Sequence, residues 1–336
     1  MIAITGGGTG GHLAIARTFN AQLNERGIKT MFIGSTSGLD KMWFENDENF
    51  SQKHFLTSSG VVNKSGINKI KSLLNIINLS FKTAKILKQN NVKAVISVGG
   101  YSAAAASFGA LWARVPLFIH EQNAINGKLN SILKPFCKGF FSSYQNPPFV
   151  YPVGARFFKA RRVRDELKTI IFLGGSQGAA AINDLAINLA PKLDQMGIKI
   201  IHQCGKEADK IKKRYENLAI NADVFDFDKA IELKMQTADL AICRAGASSL
   251  WEITANALPA IFVPYPFAAK NHQFFNAKFL ADKNLAKISL QNGEKANVDE
   301  ILKMIENYDI NGVSNALLNE IDEQKTAQII DEILRG

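Results

Sequence analysis

Acidic residues are missing from a long stretch in the first half of this 336-residue chain. Residues 49–120 contain no Asp or Glu, and residues 1–156 carry 17 Lys and Arg against 6 Asp and Glu. The remaining residues carry 23 basic and 24 acidic side chains, so the net charge of +10 lies in the first half. A field of one sign on one half predicts a polyanionic partner there, such as nucleic acid, an anionic membrane surface or a phosphorylated substrate.

Cysteines and long apolar runs are also scarce. The three cysteines, Cys137, Cys204 and Cys243, form no CxxC pair, which argues against a disulfide framework and indicates a reduced, cytoplasmic protein. No apolar run reaches the ~18 residues that a membrane-spanning helix needs. A hydrophobic content of 46% over this length can fill the cores of two domains.

Short apolar runs alternate with segments of helical periodicity along the whole chain. Strands are predicted at residues 2–5, 30–33, 94–98, 116–120, 169–173, 198–202, 240–243 and 260–263. Helices are predicted at residues 13–26, 66–90, 183–195, 248–257 and 271–283, and a closing helix at 320–334. The alternation predicts an α/β protein with two doubly wound parallel sheets, divided within residues 145–164.

Glycine-rich turns follow a predicted strand in each half: GGGTGGH at residues 6–12 and GGSQGA at residues 174–179. Glycine lacks the Cβ that would keep a ligand away from the backbone. A strand–glycine–helix turn also directs backbone N–H groups and the positive helix end at one point, which suits phosphate. Both turns therefore predict binding of a diphosphate or sugar phosphate, while either alone is also compatible with a tight packing turn.

A dinucleotide-dependent oxidoreductase is one interpretation of the first turn, because Gly6, Gly8 and Gly11 match G-x-G-x-x-G. That fold needs an acidic residue for the ribose at the end of the second strand. The sequence there is Ile33-Gly34-Ser35, which argues against this interpretation.

A serine hydrolase is the alternative suggested by the second turn. The spacing Gly174-x-Ser176-x-Gly178 fits a nucleophile elbow, and Asp239 and His272 follow in the required order. This hypothesis, with Ser176 as nucleophile, explains neither the first glycine turn nor the basic half.

A third interpretation comes from a set of longer motifs. They are GGTGGH (7–12), VGGYSA (98–103), HEQNAINGKLN (120–130), GGSQGAAAIN (174–183), CRAGASSLWE (243–252), LPAIFVPYP (258–266) and NHQFFNA (271–277). In this order, and over most of the chain, they resemble the bacterial peptidoglycan N-acetylglucosaminyltransferases of glycosyltransferase family 28. The resemblance implies a GT-B fold, in which two Rossmann-like domains face each other across a cleft. It places an acceptor- and membrane-binding domain at 1–155, a UDP-GlcNAc-binding domain at 156–318, and a helix at 319–336 that returns to the first domain.

The resemblance also implies the reaction. GlcNAc passes from UDP-GlcNAc to the MurNAc 4-hydroxyl of undecaprenyl-diphosphate-MurNAc-pentapeptide, converting lipid I to lipid II by an inverting single displacement without metal or other cofactor. The partners expected are UDP-GlcNAc, lipid I and an anionic membrane, with no nucleic acid. The expected location is peripheral, on the cytoplasmic face of the inner membrane. Asp226 and Asp228 form a DxD pattern, but the segment precedes a helical run, where an aspartate is first an N-cap.

Two residues are candidates for proton transfer. His12 lies where the first helix begins, and a helix N-terminus favours a neutral imidazole that can accept a proton. Glu121 ends a predicted strand and is expected to assist as base or to orient His12.

The resemblance implies a larger set of binding residues. Glu252 is expected to accept the ribose hydroxyls, Gln273 to recognise hydroxyls of the transferred sugar, and Arg156 to add charge at the diphosphate. The full donor set is Thr9, Gly10, Gly11, Asn123, Arg156, Ser176, Gln177, Asp228, Arg244, Ala247, Ser248, Ser249, Leu250, Trp251, Glu252 and Gln273. Tyr101, His120 and Asn183 are expected on the acceptor side.

Residues 64–88 combine apolar and lysine side chains without any acid. Helical spacing predicts that one stripe packs on the sheet, formed by Ile70, Leu73, Leu74, Ile77, Phe81 and Ala84. The remaining apolar side chains would then face outward among lysines, as a patch that suits an anionic membrane. We expect this membrane patch at Ile76, Leu79, Lys82 and Lys85; nucleic acid is disfavoured because arginine and suitable stacking aromatics are lacking.

Overall fold

The computed structural model describes residues 1–58, 66–175, 178–293 and 296–335, without the side chains of residues 67 and 69. The chain divides into two compact units. One comprises Met1–Pro152 with Gln324–Gly336, and the other Val153–Glu323.

The first unit is a six-stranded parallel sheet with the strand order β3-β2-β1-β4-β5-β6. Its strands are β1 (Ile2–Thr5), β2 (Thr30–Ser35), β3 (Gln52–Leu56), β4 (Ala94–Ser97), β5 (Leu117–Glu121) and β6 (Gly139–Ser142). Its first five helices are α1 (Gly10–Asn24), α2 (Asp40–Phe44), α3 (Gly66–Gln89), α4 (Ala103–Ala113) and α5 (Lys128–Leu133), followed by a 3₁₀ turn at Lys134–Phe136.

The second unit repeats the scheme, with the order β12-β11-β10-β7-β8-β9 in a parallel sheet. Its strands are β7 (Thr169–Leu173), β8 (Lys199–Gln203), β9 (Ala222–Phe225), β10 (Leu240–Cys243), β11 (Ala260–Phe262) and β12 (Lys287–Ile288). Its helices are α6 (Ala155–Lys159), α7 (Ala180–Gln195), α8 (Ala208–Asn217), α9 (Ile231–Thr237), α10 (Ala247–Ala255), α11 (His272–Ala281), α12 (Val298–Glu306) and α13 (Ile310–Leu317). Short 3₁₀ turns lie at Gly205–Glu207, Ala269–Asn271 and Glu323–Lys325. The predicted α/β class with two doubly wound sheets is confirmed.

The sheet registers place the candidate site. In the first unit Ile4 lies between Phe32 and Ile96, all three with no exposed surface, because these central strands are covered on both faces. The carboxyl ends of parallel strands meet at one edge of a sheet. Both glycine turns follow such ends, after β1 and after β7.

A last helix, α14 (Gln328–Arg335), packs in the first unit against α1. Its buried face consists of Ile329, Ile330 and Ile333. Arg26, just after α1, pairs with Asp331 at 2.6 Å between Nη2 and Oδ1. Helix α14 thus belongs to the same unit as β1.

The orientation predicted for α3 is wrong. The five large members of the stripe expected to pack on the sheet are exposed, whereas Leu79 is only 8% exposed and lies in the core of the first unit. The predicted patch therefore loses Leu79; Ile76 is half-buried, and Lys82 and Lys85 are exposed.

The reason lies in the contact between α3 and α4. Ser80 and Thr83 are buried there, and the Thr83 hydroxyl donates to Leu79 O at 2.5 Å and to Ala105 O at 3.0 Å. Gly109 of α4 allows the close approach, because a Cβ at that position would lie 2.9 Å from Ser80 O. Hydroxyl side chains bonded to main-chain oxygens thus lie on the inner face of α3.

The outward side of α3 is consequently apolar. We call Ile70, Leu73, Leu74, Ile77 and Phe81 the α3 apolar face; each is 46–60% exposed. Phe81 stacks on Trp112 of α4 with 5.3 Å between ring centroids, and Trp112 is itself 53% exposed. Among the described residues, no helix is both long enough and apolar enough to cross a membrane.

Candidate active site

Two glycine turns of the first unit pack backbone against backbone at the carboxyl edge of its sheet. Gly7 N donates to Gly99 O at 3.1 Å. At Gly6 (φ +126°) a Cβ would lie 2.4 Å from Gly99 O, and at Gly100 (φ +82°) one would lie 2.1 Å from Gly7 O. Only glycine permits both the backbone angles and this approach, which explains the glycine pairs after β1 and β4.

Asp40, absent from the predicted site residues, binds the backbone of the first glycine turn. Its carboxylate is fully buried and accepts from Gly8 N at 2.5 Å and from Ser35 N at 2.9 Å. Both oxygens are thus bonded to main-chain amides, so the carboxylate does not suit a ribose. The signal in the sequence is an aspartate five residues after the end of β2, close to the position where a ribose-binding acid would be expected.

His12 is the third residue of α1 and half-buried. Its Nδ1 lies 2.8 Å from the hydroxyl of Thr9, the N-cap residue of the helix. Its Nε2 lies 2.8 Å from the side-chain amide nitrogen (Nε2) of Gln122, the residue that follows β5. The residues that flank the ring, Gly10 and Gly11, form the first turn of the helix, where backbone N–H groups point toward a ligand.

Glu121 does not take the position expected for it beside His12. Its carboxylate, 2% exposed, accepts from Asn123 N at 3.0 Å, Gly127 N at 2.9 Å and Asn130 Nδ2 at 2.8 Å. The carboxylate therefore holds the loop after β5 in place. Successive side chains point to opposite faces of a strand, so Gln122 reaches α1 and Glu121 points away from it.

His120, expected on the acceptor side, is a buried side chain of the first unit. The ring has no exposed surface and lies edge-on between Phe19 of α1 and Tyr151. Burial lowers the pKa of His120 to about 3, with a smaller effect from His12, so the ring is neutral. Neither ring nitrogen has a hydrogen-bond partner among the residues that the structure describes.

Tyr101 is half-buried at the same edge of the sheet. Its hydroxyl donates to Ser37 O at 2.7 Å, and its ring occupies the space where a Cβ of Gly8 would be. Burial is the main cause that raises the pKa of Tyr101. The side chain braces the first glycine turn, and its ring edge lies beside that turn.

The glycine turn of the second unit follows β7. Gly174 N donates to Gln203 O at 2.9 Å, and a Cβ on Gly178 (φ +74°) would lie 2.7 Å from Cys204 O. Ser176 and Gln177, both predicted donor contacts, lie outside the described residues.

Asn183, also expected on the acceptor side, is 1% exposed and bonded within the second unit. Its Nδ2 donates to Glu207 Oε2 at 3.0 Å, and its Oδ1 lies 3.1 Å from His202 Nε2. Burial lowers the pKa of His202 to about 4, so this histidine is neutral and can donate to Asn183. The pair ties α7 to β8 beneath the glycine turn.

Glu252 of α10 lies among charged groups of the second unit. Burial raises its pKa to about 7, an effect that Arg156 partly offsets and Glu232 increases. Arg156 Nη1 lies 3.5 Å from Glu232 Oε2 and donates to Lys229 O at 2.6 Å. Glu232, absent from the predicted set, completes a cluster of one arginine and two carboxylates.

The donor-binding residues predicted at the start of α10 differ in the burial of their side chains. Ser248 and Ser249 are half-buried, whereas the side chains of Ala247, Leu250 and Trp251 are 5% exposed or less. Trp251 packs on Phe279 with 5.8 Å between ring centroids. The three buried side chains are therefore core residues, and only their main chain remains for a ligand.

Arg244 and Gln273 hold the turn after β11. Arg244 Nη1 donates to Val263 O at 3.0 Å and to Gln291 Oε1 at 2.6 Å, and burial lowers the pKa of Arg244. Gln273 Oε1 accepts from Tyr265 N at 2.9 Å, which leaves its Nε2 facing no hydrogen-bond acceptor of the described residues.

Asp226 and Asp228 accept from backbone amides of the turn before α9. Phe227 N donates to Asp226 at 2.6 Å, and Ala230 N donates to Asp228 at 2.8 Å.

The geometry of the second unit excludes the hydrolase triad. Asp239 precedes β10 and binds Arg162 at 2.6 Å and the amides of Lys168 and Thr169 at 2.9 Å, at the amino edge of the sheet. The glycine turn lies at the carboxyl edge, one strand length away, roughly 16 Å at 3.3 Å per residue. An acid at one edge cannot orient a histidine that activates a serine at the other.

Comparisons with known proteins agree with the two-unit arrangement. Residues 2–142 match the glycosyltransferase family 28 N-terminal domain, and residues 169–331 match the glycosyltransferase family 28 C-terminal domain. The chain is 58% identical, over 100% of both chains, to the UDP-N-acetylglucosamine–N-acetylmuramyl-(pentapeptide) pyrophosphoryl-undecaprenol N-acetylglucosamine transferase of Campylobacter fetus subsp. fetus. It is 49% identical to the transferase of the same name from Wolinella succinogenes, over 99% of each chain.

A solved structure shows the same architecture. The crystal structure of Acinetobacter baumannii MurG matches with a TM-score of 0.80 and 26% identity, covering 100% of this chain and 99% of that one. Together with the two domain matches, this shows that the chain has the GT-B fold and belongs to glycosyltransferase family 28.

Proposed function

We propose that the protein transfers GlcNAc from UDP-GlcNAc to the MurNAc 4-hydroxyl of undecaprenyl-diphosphate-MurNAc-pentapeptide, converting lipid I to lipid II. The full-length identity to transferases of that name supports the choice of both substrates. The structural observation that carries the proposal is the position of His12, at the head of α1 beside two glycine turns.

His12 is the base of this reaction. Its Nε2 takes the proton of the acceptor hydroxyl as the hydroxyl oxygen bonds to the anomeric carbon. The bond from that carbon to the diphosphate breaks, and its electron pair leaves on UDP. The carbon is attacked from the face opposite to the leaving group, so its configuration inverts.

The second unit binds the donor. Glu252 accepts hydrogen bonds from the ribose hydroxyls, and Arg156 provides positive charge for the diphosphate. The amides at the start of α10 and in the glycine turn after β7 suit phosphate oxygens, because helix N-termini favour anions. Gln273 Nε2 donates to a hydroxyl of the sugar.

A transfer assay tests the function. Purified protein is incubated with labelled UDP-GlcNAc and a lipid I analogue, and we expect labelled disaccharide-lipid in stoichiometric balance with UDP. A fluorophosphonate should leave the protein unlabelled. Release of free GlcNAc without a disaccharide product, or covalent labelling by the fluorophosphonate, would contradict the proposal.

We also propose that the protein binds an anionic membrane through the first unit. The α3 apolar face and Trp112 present exposed hydrophobic side chains, and Lys71, Lys82, Lys85 and Lys88 of the same helix are exposed. Apolar side chains suit the acyl boundary, and each nearby lysine contributes about 1 kcal/mol at an anionic surface. Binding there would bring the enzyme to a lipid-linked acceptor on the cytoplasmic face of the membrane.

A further inference from the structure

Gln122, the residue after β5, contacts the ring of His12 through its side-chain amide. The amide nitrogen of Gln122 lies 2.8 Å from His12 Nε2. An amide nitrogen carries two hydrogens and no available lone pair, so it is the donor of this bond. His12 Nε2 is therefore the acceptor, and the proton of the neutral ring lies on Nδ1, which donates to the Thr9 hydroxyl at 2.8 Å.

The surroundings of Gln122 distinguish the two ends of its side-chain amide: the nitrogen contacts His12, whereas the oxygen lacks a donor in the described part of the chain. The side chain is 8% exposed, and its Oε1 has no hydrogen-bond partner among the described residues. A buried amide oxygen without a donor is unfavourable. The same amide can present N–H to a neutral ring and, after turning, C=O to a protonated one.

We propose that Gln122 is a positioning residue that sets the protonation pattern of His12 during transfer. Before the reaction its N–H donates to the Nε2 lone pair; the acceptor hydroxyl then replaces it as donor. Once the hydroxyl proton lies on Nε2, the turned amide accepts from that N–H through Oε1. Space beside Nε2 is provided by Gly99, where a Cβ would lie 3.3 Å from that nitrogen.

The role of Gln122 depends on His12 being the base. A pH profile distinguishes a failure of the Gln122 role from a failure of the base assignment. Gln122→Glu places an acceptor-only carboxylate next to Nε2, which stabilises the imidazolium and raises the pKa of His12. Since the base must be neutral, the rising acidic limb of kcat/KM should move to higher pH by about one unit or more. Gln89→Glu, at the exposed end of α3, adds the same charge and should leave the limb in place; a water-soluble acceptor is used throughout.

A second readout needs no activity. Long-range ¹H–¹⁵N spectra of the histidine rings report which nitrogen carries the proton. We expect the Nδ1–H form for His12 in the wild type, and a shift toward the Nε2–H form in Gln122→Leu, which keeps the bulk but removes the donor. The His12→Ala spectrum assigns the signal.

The outcomes are distinct. A moved acidic limb in Gln122→Glu and a changed tautomer in Gln122→Leu, both at wild-type thermal midpoints, support the role. If His12→Ala abolishes transfer but neither Gln122 variant changes the limb or the tautomer, the inference fails and the base assignment stands. If His12→Ala transfers like the wild type, the base assignment fails and the inference with it.

Discussion

At the scale of single residues, alternation along β5 determines which polar groups reach α1. His120 and Gln122 point to the helix, where they contact Phe19 and His12, and Glu121 between them points to the following loop. The motif HEQN identified the right strand end, but the order of its side chains needed the structure. Glu121 was the expected partner of His12, but the side-chain amide of Gln122 occupies that position.

Glu252 provides a prediction about donor binding. Its pKa of about 7 means that the carboxylate becomes protonated just below neutral pH. We expect the KM for UDP-GlcNAc to rise as the pH falls from about 8 to about 6, because the neutral carboxyl loses a charge-assisted hydrogen bond worth roughly 1.5–3 kcal/mol.

Two variants control this prediction. Glu252→Gln should show a high KM at every pH, while KM for the acceptor barely changes. Glu232→Gln should move the rise to lower pH, because removal of that negative charge lowers the pKa of Glu252. A wild-type donor KM that is flat across this range would rule out the ribose contact.

His120 provides a prediction about stability. Its pKa is about 3 in the folded protein against an ordinary value of 6.5. A depressed histidine pKa contributes stability that is present above 6.5 and lost as the pH falls toward 3. Between neutral pH and pH 5 the loss from this residue is about 2 kcal/mol.

The variant His120→Phe should abolish that part of the pH dependence, because phenylalanine does not titrate. It also removes two ring nitrogens that have no hydrogen-bond partner within the described part of the chain. The free energy of unfolding in urea is compared at pH 7 and pH 5, and transfer activity is measured in parallel. Equal pH dependence in both proteins, or a folded but inactive variant, would contradict the buried, non-contacting role.

At the scale of elements, sheet position explains which strands the sequence revealed. The eight predicted strands correspond to the interior strands β1, β2, β4, β5, β7, β8, β10 and β11. The four that were not predicted, β3, β6, β9 and β12, are the sheet edges. Interior strands are covered on both faces and form continuous apolar runs, while most residues of β3, β9 and β12 are only partly buried and polar residues interrupt their pattern.

Helix α3 shows a different limit of periodicity. It has two competing faces, and hydropathy favours the wrong one, because the inner face contains Ser72, Ser80 and Thr83. The decisive feature is the small-residue contact with α4, a tertiary property that a single helix does not display.

Gly109→Ala tests that contact. The added Cβ would lie 2.9 Å from Ser80 O and from Thr83 Cβ, so the helices must separate. We expect a loss of about 1–3 kcal/mol in the free energy of unfolding, against a helix-propensity gain near 1 kcal/mol. Urea unfolding measures it, with Asn78→Ala at an exposed position of α3 as the control; a stabilised Gly109→Ala protein would refute the tight packing.

The membrane contact proposed for the α3 apolar face can be tested by substitution. Leu74→Ser with Phe81→Ser should weaken binding to anionic vesicles, because both side chains are more than half exposed. Transfer to a short-chain, water-soluble acceptor should be unaffected. Wild-type binding should also weaken with salt, since lysines contribute to it.

The matched control for vesicle binding is Leu218→Ser with Leu233→Ser, two exposed leucines of the second unit. Sedimentation with vesicles gives the affinities. If the α3 variant binds like the wild type, the docking surface lies elsewhere on the protein.

At the scale of the whole molecule, two units of the same design carry different charge. The excess of basic residues falls within residues 1–156, which form nearly all of the first unit, and the second half is close to neutral. The alternation of apolar and helical segments was sufficient for the fold class, and the ordered motifs that resemble the family were sufficient for the family. They were not sufficient for contacts such as those of Asp40 and Glu232, because these groups act through residues distant in sequence.

His12 is proposed to act on the acceptor proton and not on donor binding. Turnover and UDP-GlcNAc affinity are therefore measured together for His12→Ala, with the thermal midpoint as a check on folding. We predict a fall in kcat of about 10²–10⁴-fold with the donor dissociation constant unchanged. A variant that retains kcat, or one that loses donor affinity in proportion to rate, would show that His12 is not the base.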